Sequence, residues 1–138
     1  MGPGMLSYEV TGTLSAMVGR LETALEPLGL SLAKLGVLSK LVNAGEPLPL
    51  RLLAEECGCV RSNITQLVDR LEAEKLVRRS DDPRDRRSIR AELTAEGKSR
   101  HAAGLRALDR AEQDLFAPLA PRDRKNLLAL LRSLRECD

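Results

Sequence analysis

Aromatic side chains are almost missing from this chain: it has no tryptophan, one tyrosine (Tyr8) and one phenylalanine (Phe116). Their scarcity excludes nucleic-acid binding by stacking bases on an aromatic platform and leaves any core aliphatic. Histidine occurs once, as His101, and the three cysteines form no C-x-x-C pair, because Cys57 and Cys59 flank a single glycine. A Cys/His zinc site is therefore disfavoured, and the odd cysteine count argues against a disulfide framework. Neither a metal nor a cofactor is expected. No apolar run approaches the roughly 18 residues that a bilayer requires, and the start, MGPGMLSYEV, lacks the basic-then-apolar layout of a secretory signal. The expectation is a cytoplasmic protein with no membrane partner. No glycine-rich phosphate loop or nucleophile motif is present, so the chain does not read as an enzyme.

What is present is a globular composition, with 43% hydrophobic and 30% charged residues over 138 positions and a net charge of +2. The length fits one domain, or one domain with elements that need a partner. Positive charge is concentrated rather than spread. Residues 75–90 hold seven Lys or Arg against three Asp, a local net of +4. Arginine outnumbers lysine seventeen to five, which suits bidentate contacts to phosphate or guanine but equally fits a coding bias toward Arg, Ala and Leu.

Hydrophobic periodicity divides the chain into helices. Leu14, Val18, Leu21, Leu25 and Leu28 form a narrow seam on a helix over about residues 8–25, closed by Pro27 and Gly29. Ser31 offers an N-cap to a second helix whose inner face is Leu32, Leu35, Leu38, Leu41 and Val42, with Gly45 as its stop. Residues 46–50, EPLPL, read as an extended connector. A short helix over about residues 50–57, with Leu52 and Leu53 inward, then a tight turn at Gly58, leads to a helix over about residues 61–74. Ile64, Leu67, Val68 and Leu71 stripe that helix. Short strands near residues 76–80 and 88–93 bracket a basic tip. Thr94 caps a long helix reaching about residue 115, weakened by Gly97 and Gly104 at about 1 kcal/mol each relative to alanine. After Pro118 and Pro121 a last helix over about residues 122–136 carries Leu127, Leu128, Leu130, Leu131 and Leu134.

A short helix, a tight turn and a second helix are the parts of a helix-turn-helix, and the basic hairpin that follows supplies a wing. Because the Ile64–Leu71 stripe must face the core, the opposite face is left for a duplex. Arg61, Ser62, Asn63, Thr65 and Gln66 lie in its first turns, where Arg can take guanine, Asn or Gln can take adenine, and the Thr methyl can meet thymine. In the wing, Arg84 is assigned to the minor groove and Arg86 and Arg90 to phosphate. Asp82 and Arg87 are assigned to bracing, Arg87 through a pair with an aspartate of the tip. A cluster of guanidinium groups has little use as packing, since burying them unpaired is costly. The fold class is mainly α with a small β-hairpin: a winged helix-turn-helix over residues 31–94, flanked by dimerisation helices over residues 1–30 and 95–138.

The run from LRLLAEECGCV to IRAELTAEG resembles the central domain of multiple-antibiotic-resistance regulator (MarR) transcription factors. The wing pattern D-x-R-x-x-R followed by L-T-x-x-G is met by Asp82, Arg84, Arg87, Leu93, Thr94 and Gly97, and GLSLAKLGVL and LFAPLAPRDRKNLLALLRSL extend the likeness outward. The resemblance implies a homodimer with interlocked terminal helices that binds a pseudo-palindromic operator on double-stranded DNA, commonly as a repressor released by a small-molecule effector or by oxidation. Departures are Val60, where a Ser or Thr cap is common, and Leu35, where an aromatic is frequent. The N-terminal helix has no cysteine, which disfavours the peroxide-sensing branch, and one histidine disfavours the zinc-sensing branch. Oxidation at Cys57 or Cys59 would disturb the reader helix, but burial as small apolar residues is the stronger reading.

Independently of that resemblance, Leu14, Val18, Leu21 and Leu25 at one end and Leu127, Leu131 and Leu134 at the other form apolar stripes outside the winged module. Left bare they exceed what a monomer tolerates, so a symmetric helical interface is expected. The competing reading is a winged-helix module that docks protein rather than DNA, for which Asp69 on the outer face is a mild point.

Overall fold

A computed structural model describes residues 1–57 and 61–136, and the side chains of Arg61 and Ser62 fall outside that description. The expected turn at Gly58, the departure at Val60, and Cys59 and Cys137 lie outside the described residues. Among the described residues the chain forms α1 (Met5–Leu25), a 3-10 turn (Glu26–Leu28), α2 (Leu32–Ala44), β1 (Leu48–Pro49), α3 (Leu50–Cys57), α4 (Arg61–Ala73), β2 (Val77–Asp82), β3 (Asp85–Leu93), α5 (Ala95–Leu115) and α6 (Pro121–Arg135).

The capping residues act where the sequence places them. Ser31 Oγ accepts from the Lys34 N–H at 3.1 Å, and Gly45 closes α2 at φ 67°, a left-handed value that glycine adopts without strain. Thr94 Oγ1 accepts from the Gly97 N–H at 2.9 Å and donates to the carbonyls of Lys75 and Leu76, so one hydroxyl both starts α5 and staples it to the start of β2. The end of α4 is less expected. Lys75, with φ 64°, occupies the left-handed position of a Schellman motif in which the Leu76 N–H reaches the Leu71 carbonyl at 2.9 Å and the Lys75 N–H reaches that of Glu72 at 2.9 Å. A non-glycine residue there is strained by about 1–2 kcal/mol. Leu71 and Leu76, both fully buried, close the motif with an apolar contact of the kind that offsets such strain.

The core is aliphatic and centred on the winged module: Leu35, Val37, Leu38 and Leu41 of α2, Leu53 of α3, Ile64, Val68 and Leu71 of α4, with Leu76, Val77 and Ala91, are all buried. The sheet has the order β1-β3-β2, antiparallel throughout. Two expectations are corrected here. The hairpin strands are longer than residues 76–80 and 88–93, leaving only Pro83 and Arg84 between them. The EPLPL connector contains a short strand, with Leu48 opposite Ala91 and Pro49 opposite Arg90; buried Leu48 anchors it, and Pro49 sits on an edge, where the N–H it lacks is not needed.

Helix α5 crosses the module closely. A Cβ on Gly97 would lie 2.1 Å from the Leu76 carbonyl oxygen, whereas one on Gly104 would meet only leucine methyl groups, of Leu35 and Leu30, at 2.8 and 2.9 Å. Both glycines, read from sequence as helix weaknesses, are what lets α5 approach. Between them His101 is buried, its Nε2 2.9 Å from Ser39 Oγ on α2. Burial holds its pKa below the ordinary 6.5.

Two measurements check this packing. Gly97→Ala should lower stability by about 1–2 kcal/mol net, because forcing a methyl against backbone outweighs the roughly 1 kcal/mol gain in helix propensity; Gly104→Ala should cost less, and urea midpoints compare them. Below pH 6.5 the unfolded chain takes up a proton at His101 that the folded chain resists, so stability should decline as pH falls from that value toward the lower folded pKa. Replacing His101 by Gln should flatten that part of the profile, and an unchanged profile would contradict it.

Candidate nucleic-acid interface

Helix α4 cannot turn freely on its axis. Ile64, Val68 and Leu71 are fully buried, and Leu67 is half-buried against the same core. The face opposite presents Asn63, Thr65 and Gln66 to solvent, together with Asp69 and Arg70. Three of the five predicted base-reading residues therefore share one exposed surface. Arg61 and Ser62 occupy the first positions of the same helix, and their side chains lie outside the description.

The wing extends beside this face. Strand pairing runs from Val77 opposite Leu93 to Asp81 opposite Ile89, and then jumps to Asp82 opposite Asp85. One step along β2 thus faces four along β3, so Arg86, Arg87 and Ser88 bulge from the ladder. At the tip the Asp82 carboxylate accepts from the Arg84 N–H at 2.9 Å, and the Asp85 carboxylate from the Arg87 N–H at 3.0 Å. Asp82 is thus a brace, acting on backbone. The expected pairing of the Arg87 guanidinium with a tip aspartate is not formed: the short carboxylate reaches the N–H two residues on, as in an Asx turn, and among the described residues Arg87 makes no ion pair. Arg84, Arg86 and Arg87 are all exposed.

Arg90 differs from them. It is half-buried in the sheet between Pro49 and Ser80, and its Nε, like Ser80 Oγ across the ladder, is buried without a hydrogen-bond partner. Together with Arg84, Asp82, Pro83, Glu46, Pro47 and Leu52 it lines an open groove at the base of the wing. Arg84 and Arg90 give this groove two guanidinium groups, which would favour an anionic oxygen entering it.

The sequence reading missed the ion pairs that join these parts. Arg79 of β2 contacts Asp69 and Glu72 of α4, Lys34 of α2 meets Glu74 at 2.6 Å, and Arg78 meets Glu92 across the hairpin at 3.6 Å. The available signal was the i, i+3 spacing of Asp69 and Glu72, which puts two carboxylates on one helix face. With Asp69 engaged by Arg79, the outer face of α4 loses the acidic character that favoured a protein partner.

The apolar residues predicted at the chain ends occupy a different surface. Leu14, Val18, Leu131 and Leu134 are exposed, Leu134 by 71%, and Leu21 and Leu127 are half-buried, whereas Leu25, expected on the same uncovered seam, is fully buried in the core of its own chain. Helix α6 buries none of its side chains. An open apolar cleft of about 480 Å³ lies between α5 and α6, lined in part by Phe116, Leu127, Leu128 and Leu131. Among the described residues no group of His, Cys, Asp and Glu is arranged to hold a metal ion.

Comparison with known proteins gives this arrangement its relatives. The MarR family profile matches residues 28–88. An uncharacterised HTH-type transcriptional regulator of Bacillus subtilis (strain 168) is 41% identical over 71 residues, covering 51% of this chain; the match spans 44% of that relative's length. A MarR-family transcriptional regulator from Streptomyces coelicolor, solved in complex with DNA, superposes with a TM-score of 0.85 at 27% identity over 96% of this chain and 84% of the other. One from Rhodococcus sp. RHA1 does so with a TM-score of 0.83 at 26% identity over 94% and 91%. Residues 28–88 thus match the MarR family profile, and along nearly its whole length the chain is similar in fold to these MarR-family transcription regulators.

Proposed function

We propose that this protein is a homodimeric, sequence-specific DNA-binding transcriptional regulator, acting as a ligand-responsive repressor on a pseudo-palindromic operator. The observation that carries the reading is the single exposed surface on which Asn63, Thr65 and Gln66 of α4 stand beside a wing whose Arg84 and Arg86 are free of carboxylate partners among the described residues. Arg84 reaches the minor groove, and Arg86 and Arg90 take phosphate, Arg90 from the groove that it lines with Arg84. The DNA-bound Streptomyces coelicolor relative supports the choice of duplex as partner.

A homodimer accounts for the apolar ends. Leu6 and Leu14 of α1 and Leu128, Leu130, Leu131 and Leu134 of α6 are exposed on the single chain, and mixing both ends of each protomer with those of its twin would bury them. Two reader helices then fall about one DNA turn, roughly 34 Å, apart. An effector that binds one inter-reader spacing better than another shifts the population between binding and non-binding states, which is all that release requires. A cytoplasmic site of action is part of this proposal; among the described residues no helix is long and apolar enough to cross a membrane, which agrees with it without deciding it.

Binding to duplex DNA should weaken steeply with salt. Arg84→Ala and Arg86→Ala should each lower affinity, with each lost phosphate contact reducing the slope of log K against log salt by about 0.9. Bound duplexes selected from a random pool should carry two half-sites about 10 base pairs apart, centre to centre. A folded protein that binds no duplex at low salt would contradict the proposal.

A further inference from the structure

We propose that Arg79, which lies on β2 rather than on the reading surface, is a positioning residue that locks reader helix and wing into one rigid body and so sets sequence discrimination; this rests on the DNA-binding function proposed above. Its guanidinium makes an ion pair with Asp69 and lies 3.4 Å from Glu72 Oε1, while Nη2 also donates to the Thr65 carbonyl at 3.2 Å. The backbone N–H of Arg79 donates to the second oxygen of Glu72 at 3.0 Å. One residue thus grips three positions of α4 spread over two turns. Only a planar fork with several donors can do this, and a lysine cannot.

Two consequences follow from that grip. Thr65 and Gln66 project from the turn whose carbonyl Arg79 holds, so the rotation of α4 about its axis is referenced to the wing strand and not only to the core. Asp69 and Glu72 would otherwise present two bare carboxylates close to the phosphate backbone; Arg79 offsets one of their two charges and draws both side chains toward β2. The helix is held at its far end as well, where Glu74 pairs with Lys34, whose Nζ also donates to the Gly29 carbonyl at 3.1 Å. Each of these contacts is partly exposed and individually weak. The Arg79 contacts act together on orientation, because those to Asp69, Glu72 and the Thr65 carbonyl converge on a single guanidinium that is itself only 25% exposed.

A positioning role and a direct phosphate contact are separable by experiment. In the full-length protein, Arg79→Met should reduce the ratio of affinities for the selected operator and a scrambled duplex by at least about tenfold while leaving the salt slope unchanged; a phosphate contact would instead lower the slope by about 0.9. The paired variant Asp69→Asn with Glu72→Gln, which keeps Arg79, should reproduce the loss of discrimination, and Arg79→Lys should restore only part of it. Without DNA, amide hydrogen exchange at residues 65–72 and 77–82 should quicken in Arg79→Met and in the carboxamide pair. A lowered salt slope with discrimination intact, a carboxamide pair that simply binds all duplexes more tightly, or unchanged exchange would each overturn the assignment. A wild-type protein that binds no duplex would instead bring down the proposed function, and faster exchange in the variants would then leave the Arg79 contact as a purely structural brace.

Discussion

The buried stripe of α4 is the constraint on which everything else depends. Ile64, Val68 and Leu71 are each fully withdrawn from solvent, and burial of side chains of this size is worth about 1.5–3 kcal/mol apiece. Rotating the helix by even one residue's angle would expose part of that stripe and bury a polar neighbour in its place. The orientation of Asn63, Thr65 and Gln66 is therefore fixed by residues that never meet the partner. Under the proposed function, specificity would be a by-product of packing: the core decides which face is left over, and the chemistry of that face decides what it could read.

Around this fixed helix the remaining elements act as registers. The Schellman turn at Lys75 delivers Leu76 into the core and starts β2 at once, so the wing begins at a defined angle from the reader. Thr94 then ties the start of α5 back to the same point, and Gly97 removes the side chain that would keep the two backbones apart. On the other side of the module, Arg100 of α5 donates to the Leu28 carbonyl at 2.6 Å and Glu22 of α1 accepts the Leu32 N–H at 2.7 Å, so the terminal helices grip the corner that leads into α2. These bonds attach α1 and α5 directly to the corner that leads into α2. This is the mechanical property that a spacing-controlled switch needs.

The parts of this structure that depend on local rules were legible in the sequence. The 3.6-residue period gave α2 and the α4 stripe, Ser31 and Thr94 were readable as caps, and Leu14, Leu131 and Leu134 read as exposed apolar positions, whereas Leu25 of the same seam is buried in the core of its own chain. Features that depend on register between distant elements were not legible. Nothing local says that Arg79 faces Asp69 and Glu72, since the match requires both the α4 rotation and the strand phase. A strand of two residues such as β1 carries no alternation to detect, and it exists only because Leu48 finds a place in the core. The aspartates of the wing illustrate a third limit. Sequence showed that they brace the tip, but whether a carboxylate meets a guanidinium or the backbone two residues on is decided by a turn geometry that composition does not encode.

Amide hydrogen exchange, compared between the free protein and its complex with a selected duplex, tests the central claim most directly. Slowed exchange should concentrate at residues 63–66 of α4 and 84–90 of the wing, with the buried stripe already slow in both states and α6 unaffected by DNA. Protection confined to α1 and α6, with the polar face of α4 exchanging as fast in the complex as without it, would contradict the account that packing of the stripe presents this face to the double helix.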